Sequence, residues 1–278
     1  MTEAQLSICK TCLNRKKGVF DAQDICNVRG LRLKPEEECP YYEKDTKVIT
    51  ATEDKQLSIK PNADRAKNAI IAVLVVMSLD IISGLSSVMQ LDLLNDVSNG
   101  VAVSDEAFAA NDLREQAIGY AYLAAFIVSA VFFILWFRRA YYNLQVRTGN
   151  CQHSDGWAAG SWFLPIISLY RPYQIMRELA TETSSLLSIA SGKEVKSDTD
   201  TIGIWWALWI ITNYIGNYLF KNVFGVETVE DFINTTILQI VNAVIAIPMA
   251  LVTVSMIKKY AAKETALNQE EKSSDFIL

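Results

Sequence analysis

The sequence predicts an all-α membrane protein with four transmembrane helices, a re-entrant hairpin, an interfacial amphipathic helix and a small N-terminal zinc-ribbon-like head. Three observations support this fold class. First, 51% of the 278 residues are apolar, and four apolar runs each approach the ~20 residues that a helix needs to cross hydrocarbon. Second, basic residues are concentrated between particular runs. Third, four of the five cysteines lie in the first 67 residues, which contain no apolar run of signal-peptide length. The predicted spans are residues 68–90, 118–137, 202–224 and 236–257.

The distribution of Lys and Arg indicates which apolar segments cross the bilayer. Basic residues that flank spans are retained on the cytoplasmic side. If residues 157–170 do not cross, 24 basic residues lie on one side, and only Arg114 and Lys221 lie on the other. If residues 157–170 do cross, the division becomes 17 against 9. The first arrangement is favoured, and it places both termini in the cytoplasm.

Residues 157–170 are therefore predicted to form a hairpin that enters the cytoplasmic leaflet and returns. As a helix this segment would extend roughly 21 Å, which is short of ~30 Å of hydrocarbon, and Pro165 removes a backbone donor near its middle. Pro172 suits the first turn of a new helix over residues 172–190, whose apolar side chains recur at three- and four-residue spacing up to Gly192. This pattern predicts an interfacial helix. A hairpin lying flat in the interface is the alternative.

The two predicted outer loops carry signals for the helices that follow them. Residues 91–117 contain six acidic residues and one arginine, and Ser104 is predicted to cap a helix that runs into the second span. The loop over 225–234 is also acidic. Asn234 or Thr235 is the predicted cap of the last span, and Pro248 is expected to bend that span.

The N-terminal residues 1–45 are predicted to form a head that is held together by metal. Cys9, Cys12, Cys26 and Cys39 supply a Cys-x-x-Cys pair and two distant thiols, a set that can surround zinc tetrahedrally. Iron in the same ligands, two disulfides and four free thiols are the alternatives. Four cysteine ligands leave no open position, so the zinc would be structural. Residues 46–67 are predicted to be a polar linker and residues 261–278 a polar C-terminal tail, and Cys151 is read as a free interfacial thiol.

Polar residues inside the spans suggest a functional cluster. Asp80 lies near the bilayer centre of the first span, where an acid is costly and is normally turned toward protein or water. Two pairs on the third and fourth spans are predicted to join it: Asn213 with Asn217, and Gln239 with Asn242. The favoured interpretation is that a protonated Asp80 holds neighbouring helices together by a hydrogen bond. In the alternative, the cluster lines a path for protons or small solutes.

A second group of residues surrounds the predicted hairpin. Arg139 and Asn143 share one helical face, and we expect them to clamp the re-entrant turn; with Arg138 and Arg171 they could instead hold an anionic lipid headgroup. The tryptophans are predicted to form interfacial belts. They are Trp136, Trp157, Trp162, Trp205, Trp206 and Trp209.

These motifs resemble a bacterial membrane family, the domain of unknown function number 4328. The resemblance covers roughly residues 118–258 and lies in Trp136, Arg139, Asn143, Trp157, Trp162, Pro165, Arg171 and Pro172. The head is similar to a separate small cysteine motif through Cys9, Cys12, Asn14, Arg15, Cys26, Cys39, Pro40 and Tyr42. The two resemblances imply an integral protein of the bacterial inner membrane with a zinc-ribbon-like head, and they imply no activity or substrate.

The sequence favours a role other than catalysis. Ser161 lacks the Gly-x-Ser-x-Gly pattern, His153 is the only histidine, and no phosphate-binding glycine loop is present. We expect a scaffold or sensor that presents the head to a cytosolic protein, with the lipid bilayer and anionic headgroups as further partners and no nucleic acid. A conduit centred on Asp80 is the alternative function.

Overall fold

The computed structural model describes residues 15–16, 25–26, 58–149, 151–222 and 228–275. The chain divides into two units, residues 1–58 and 59–278. Strand β1 (Arg15–Lys16) of the first unit pairs antiparallel with β2 (Ile25–Cys26), and Arg15 lies opposite Cys26. The other ligands predicted for zinc, Cys9, Cys12 and Cys39, lie outside the described residues.

The second unit is helical in the part that the structure describes. Its α-helices are α1 (Ala63–Ser98), α2 (Asp105–Thr148), α3 (Asp155–Gly160), α4 (Arg171–Ser191), α5 (Thr199–Asn222) and α6 (Val229–Asp275). Two 3-10 turns, Ser161–Phe163 and Ile167–Leu169, lie between α3 and α4.

Three of the described helices, α1, α2 and α6, are long and apolar enough to cross a membrane. The protein is therefore a membrane protein with an all-helical second unit. Helix α5 has 24 residues but is not among the three, since its Trp, Tyr and Asn residues lower the mean hydropathy.

The ends of α2 and α4 follow the predicted capping chemistry. The Ser104 hydroxyl accepts a hydrogen bond from the Ala107 amide at 3.2 Å, which confirms the predicted N-cap of α2. Gly149 after α2 and Gly192 after α4 both have φ of +66°, a left-handed conformation that glycine adopts without a Cβ penalty. The predicted end of α4 at Gly192 is therefore confirmed.

The predicted start of the last span is wrong. Asn234 and Thr235 lie inside α6, which begins at Val229. The Thr228 hydroxyl accepts from the Asp231 amide at 3.2 Å, while the Asp231 carboxylate accepts from the Thr228 amide at 3.1 Å. This reciprocal pair is a capping box, and it satisfies two backbone donors at once.

The four long helices run between the same two ends of the unit. At one end, which we call the basic end, Arg65 of α1 contacts Leu135 of α2, and Asn62 contacts Glu264 of α6. At the other end, the acidic end, Gln90 of α1 donates to Thr236 of α6. Asp198, just before α5, pairs with Lys259 and Lys263 of α6 at the basic end, and Thr212 of α5 contacts Met249 of α6 further along. Helices α1 and α5 therefore run away from the basic end, and α2 and α6 return to it.

Large side chains fill the basic end, whereas small ones hold the helices together further along. The large buried residues at the basic end include Trp136, Phe137, Tyr141, Leu144, Ile175, Met176, Leu179, Ile202, Trp205, Ile257 and Tyr260. Helices α1 and α6 are in extensive contact, and their buried residues beyond that core include Ala72, Ala243, Ala246 and Ala250. A Cβ added at Gly84 would lie 3.2 Å from the Ala243 Cβ, so the two helices approach closely there.

Helix α4, predicted to lie on the membrane interface, packs against protein. Its apolar stripe is present as predicted, but Ile175, Met176 and Leu179 are fully buried against the core formed with α2 and α6. Glu178 of the same helix is also buried. The segment predicted to be a polar tail from residue 261 is helical to Asp275, and its Glu264 and Leu267 are buried.

Candidate functional site

The residues predicted to form one intramembrane polar cluster contact different parts of the protein. Asp80 is 5% exposed and lies beside the Tyr122 hydroxyl of α2. Asn213 donates to the Trp209 carbonyl at 3.2 Å and Asn217 to the Asn213 carbonyl at 2.8 Å, both within α5. Tyr122 was absent from the predicted cluster because nothing in its sequence context marks it as the partner of an acid.

The remaining predicted members lie on α6. Gln239 is half-buried, and the Oδ1 atom of Asn242 is buried without a hydrogen-bond partner in the described part of the chain. Asn242 precedes Ala243, which meets Gly84 of α1. Asn242 thus lies beside a close approach of α1 and α6, in a position to serve helix association.

The hairpin segment is joined to the helices by Trp162. This indole packs edge-on against Phe133 and Phe137 of α2, with ring centroids at 5.5 and 6.0 Å, and against Trp209 of α5 at 5.6 Å. Edge-to-face geometry is a favourable arrangement for aromatic rings. Trp162 therefore holds the segment between α2 and α5.

Several of the tryptophans pack around Trp162 in an aromatic cluster inside the protein. Trp136 and Trp205 are 0% and 2% exposed, so the prediction that they belong to interfacial belts is wrong. Trp206 stacks on Trp209 at 4.6 Å within the same cluster. Trp157 is 38% exposed, and its ring lies under the guanidinium of Arg171.

Beyond Trp162 the hairpin segment turns outward. Phe163 and Ile166 are 74% and 77% exposed, and they flank Pro165. The Ser168 amide donates to the Leu164 carbonyl at 2.7 Å, and the Ser168 hydroxyl donates to Pro165 at 2.9 Å, which closes the turn. Pro172 lies in the first turn of α4, the position predicted for it, and it is buried there.

The prediction that Arg139 and Asn143 clamp this turn is wrong. Arg139 donates to the Pro61 carbonyl at 3.4 Å. The Asn143 side chain accepts from the Lys60 amide at 3.0 Å and donates to the Lys60 carbonyl at 2.9 Å. Sequence spacing showed that the two residues share a face, but it could not show that the segment before α1 covers that face.

Asn143 also belongs to a buried polar junction that the sequence analysis missed. Its amide donates to Glu264 at 2.7 Å, and the Asn62 amide donates to the other carboxylate oxygen at 3.1 Å. Asn62, Asn143 and Glu264 are all at most 5% exposed. Buried acids are normally paired or hydrogen-bonded, so this junction fixes α1, α2 and α6 relative to one another.

A second junction fixes α4 and the loop after α2. The Tyr141 hydroxyl donates to Glu178 at 2.7 Å and accepts from the His153 amide at 3.0 Å, and the Gln152 amide donates to the second Glu178 oxygen at 2.7 Å. Arg171 lies 3.0 Å from the ring nitrogens of His153. Burial and then the positive charge of Arg171 lower the pKa of His153, against a smaller opposing effect of Glu178.

Other polar residues hold the two ends of the unit. Lys259 and Lys263 of α6 bind Asp198 at 3.1 and 2.7 Å. Burial opposes ionisation of Asp198, but the hydrogen bonds from these lysines outweigh it and lower its pKa.

At the acidic end, Arg114 donates to the hydroxyl of Ser86 at 2.7 Å. Arg138 pairs with Asp155 at 3.2 Å, and Cys151 is a free thiol beside Thr148.

The described residues include no group of three or more His, Cys, Asp or Glu side chains that could hold a metal ion. The predicted zinc site is outside this observation, because only Cys26 of its four ligands lies in a described segment. The junctions described above are held by hydrogen bonds and ion pairs, and their chemistry is that of helix association.

Comparison with known families covers most of this helical unit. The family model named Domain of unknown function (DUF4328) matches residues 99–262, more than half of the chain. The chain belongs to this family. The DUF4328 match begins just before α2 and extends into α6, so it includes the hairpin segment, the aromatic cluster and the Tyr141–Glu178 junction.

The DUF4328 match does not reach α1 or the first unit. It also ends before Glu264, although that residue joins α6 to α1 and α2. No curated protein and no solved structure matches the chain.

Proposed function

We propose that this DUF4328 protein is a non-enzymatic scaffold or sensor of the bacterial inner membrane that presents its N-terminal head to a cytosolic protein. The observation that supports it best is the dense core at the basic end. There α4 and the ends of α2 and α6 bury the largest side chains of the helical unit. A rigid helical platform of this kind suits a protein that holds others in place.

We also propose four spans with both termini in the cytoplasm. Helix α5 begins beside Lys263 at the basic end and leads to Thr228, where α6 begins. If α6 crosses the bilayer from the acidic end to the basic end, the chain must first cross in the opposite direction. Helix α5 is the segment that connects the basic end to the acidic end. The excess of Lys and Arg in segments at the basic end supports a cytoplasmic position for it.

The hairpin over residues 157–170 completes this arrangement as a re-entrant segment. Its support is the contrast between Trp162, which packs among α2 and α5, and Phe163 and Ile166, which the described part of the chain leaves mostly exposed. Large apolar side chains left uncovered in a membrane protein suit contact with lipid. Fluorescence of a probe attached after Ile166→Cys, quenched by bromine-labelled lipids in liposomes, would test the insertion. Quenching no stronger than for Gln174→Cys would argue against it.

Zinc in the head remains a proposal that rests on the spacing of Cys9, Cys12, Cys26 and Cys39. Elemental analysis of the purified full-length protein is expected to give one zinc per chain, and Cys12→Ser is expected to lose it. Cys151→Ser is the matched control, since this thiol lies in the helical unit. Zinc retained by Cys12→Ser would refute the assignment.

The scaffold proposal is tested by the proteins that copurify with the full-length chain from its own cells. We expect a cytosolic protein to be enriched by the unaltered chain and by Cys151→Ser but lost with Cys12→Ser. An unrelated membrane protein with the same tag sets the background. If nothing is enriched above that background, or if Cys12→Ser retains the same protein, the head does not act as the presenting element.

The alternative function, a proton or solute conduit, is favoured by one observation. Asp80 is a buried acid beside Tyr122 in a helix that is apolar enough to span the membrane. A conduit predicts pH-dependent flux into proteoliposomes that Asp80→Asn abolishes. Equal flux with the unaltered and the substituted protein would leave Asp80 as a residue that joins α1 to α2.

A further inference from the structure

An apolar groove lies between α1 and α2, and among the described residues only these two helices line it. Its volume is about 420 Å³. Four residues of each helix line it: Asn68, Ile71, Ala72 and Val75 of α1, and Ala124, Ala125, Val128 and Phe132 of α2. The alanines make the groove, because larger side chains at their positions would fill it. From Asn68 to Val75 it extends about 10 Å along the helix axis, within one leaflet of a bilayer.

Two arginines continue the walls of this groove toward the basic end. Arg65 precedes Asn68 by three residues, and Arg139 follows Phe132 by seven, so each lies on the same helical face as the wall that it extends. Arg65 donates to the Leu135 carbonyl at 2.8 Å, which places its guanidinium against α2. The apolar groove thus ends at a pair of positive charges.

No carboxylate in the described part of the chain forms an ion pair with either arginine. The hydrogen bonds of the two arginines go to the carbonyls of Leu135 and Pro61. Glu264 attracts Arg139 but lies beyond ion-pair distance, and it is already bound by two amides. Arg65 is close enough to Arg139 and Arg138 for their like charges to repel.

We propose that the groove and its two arginines bind one anionic phospholipid. An acyl chain would occupy the groove between α1 and α2, and the phosphate would lie at Arg65 and Arg139. Apolar surface at lipid depth next to basic residues at the headgroup level is the chemistry that such a lipid requires. This site differs from the one expected from the sequence, because Asn143 is buried under Lys60 and Arg171 faces His153.

The charges favour this occupant over a second copy of the chain. A symmetric contact through this face would bring the arginine pairs of two copies together at the same depth, where like charges repel. The proposal does not depend on which side of the membrane the basic end faces, since it needs only a leaflet with anionic lipid.

Native mass spectrometry of the delipidated full-length protein can count bound lipids. The probes are phosphatidylglycerol and phosphatidylcholine with identical acyl chains. We expect one phosphatidylglycerol to bind more tightly than phosphatidylcholine. Arg65→Gln and Arg139→Gln should each weaken it about fivefold, because a basic residue near the membrane surface contributes that much to anionic lipid binding. Arg177→Gln, at an exposed site on α4, should change it less than twofold.

Filling the groove tests the acyl-chain part of the proposal separately. Ala125→Leu is expected to weaken phosphatidylglycerol binding at least as much as loss of one arginine, whereas Ala121→Leu, outside the groove, should not. If Ala125→Leu fails to give a monodisperse protein, Ala124→Leu replaces it. Equal binding of the two lipids, or no effect of a folded groove variant, would overturn the proposal. Displacement of the lipid by inorganic phosphate alone would also overturn it, because the site would then recognise only the anion.

Discussion

Removal of the Asn143 side chain should destabilise the whole helical unit. Asn143→Ala deletes two hydrogen bonds to Lys60 and one to Glu264. Neutral hydrogen bonds contribute about 1 kcal/mol each and those to charged groups about 1.5–3 kcal/mol, and the groups left behind are buried. We therefore expect the free energy of unfolding to fall by about 3–5 kcal/mol.

Tryptophan fluorescence offers a direct assay, because Trp136 and Trp205 are buried in the same core. Equilibrium unfolding in mixed micelles with rising SDS would give the two free energies. The matched control is Asn95→Ala, an exposed asparagine near the end of α1, for which we expect a change below about 0.5 kcal/mol. If Asn143→Ala and Asn95→Ala differ by less than about 1 kcal/mol, the junction does not stabilise the unit as argued.

Three further substitutions test other parts of the structure. Trp162→Ala should cost about 3–5 kcal/mol and create protease cleavage in the hairpin segment, whereas Phe163→Ala, at an exposed site, should leave the digestion pattern unchanged. The lowered pKa of His153 predicts that its contribution to stability is present above its ordinary pKa of about 6.5 and is lost as pH falls; the protection factors of amides around residue 153, which are corrected for the intrinsic pH dependence of exchange, should therefore fall on acidification, and His153→Gln should remove this dependence. Thr228→Ala should destabilise α6 by about 1 kcal/mol, measured as faster exchange of the Asp231 amide, and an unchanged rate would exclude the capping box.

The sequence was most informative about features set by local chemistry. Apolar length identified α1, α2 and α6, and the conformational preferences of Ser104 and Gly192 located two helix ends. These signals are local, since a helix needs its own run of apolar residues and its own caps. The start of α6 was misplaced because two polar residues near the apolar run were chosen as caps, although Thr228 and Asp231 form the box one turn and a half earlier.

Contacts between distant segments could not be obtained in the same way. Periodicity indicated correctly that α4 has an apolar stripe, but a stripe suits packing on protein as well as on lipid. Likewise, Arg139 and Asn143 were placed on one face without any signal that residues 60 and 61 lie over it. Trp136 and Trp205 were assigned to the interface by residue type, whereas each packs against a ring of another helix, Tyr260 of α6 and Phe133 of α2 respectively.

The unequal size of the side chains along the bundle has a consequence for its dynamics. Interlocked rings at the basic end resist separation, because parting them exposes large apolar areas, while the alanine and glycine contacts near Gly84 lose little when they part. Slow hydrogen exchange should therefore be confined to the basic end. Lateral stress in the bilayer would separate the helices at the acidic end first, and the aromatic core of the basic end would act as the hinge.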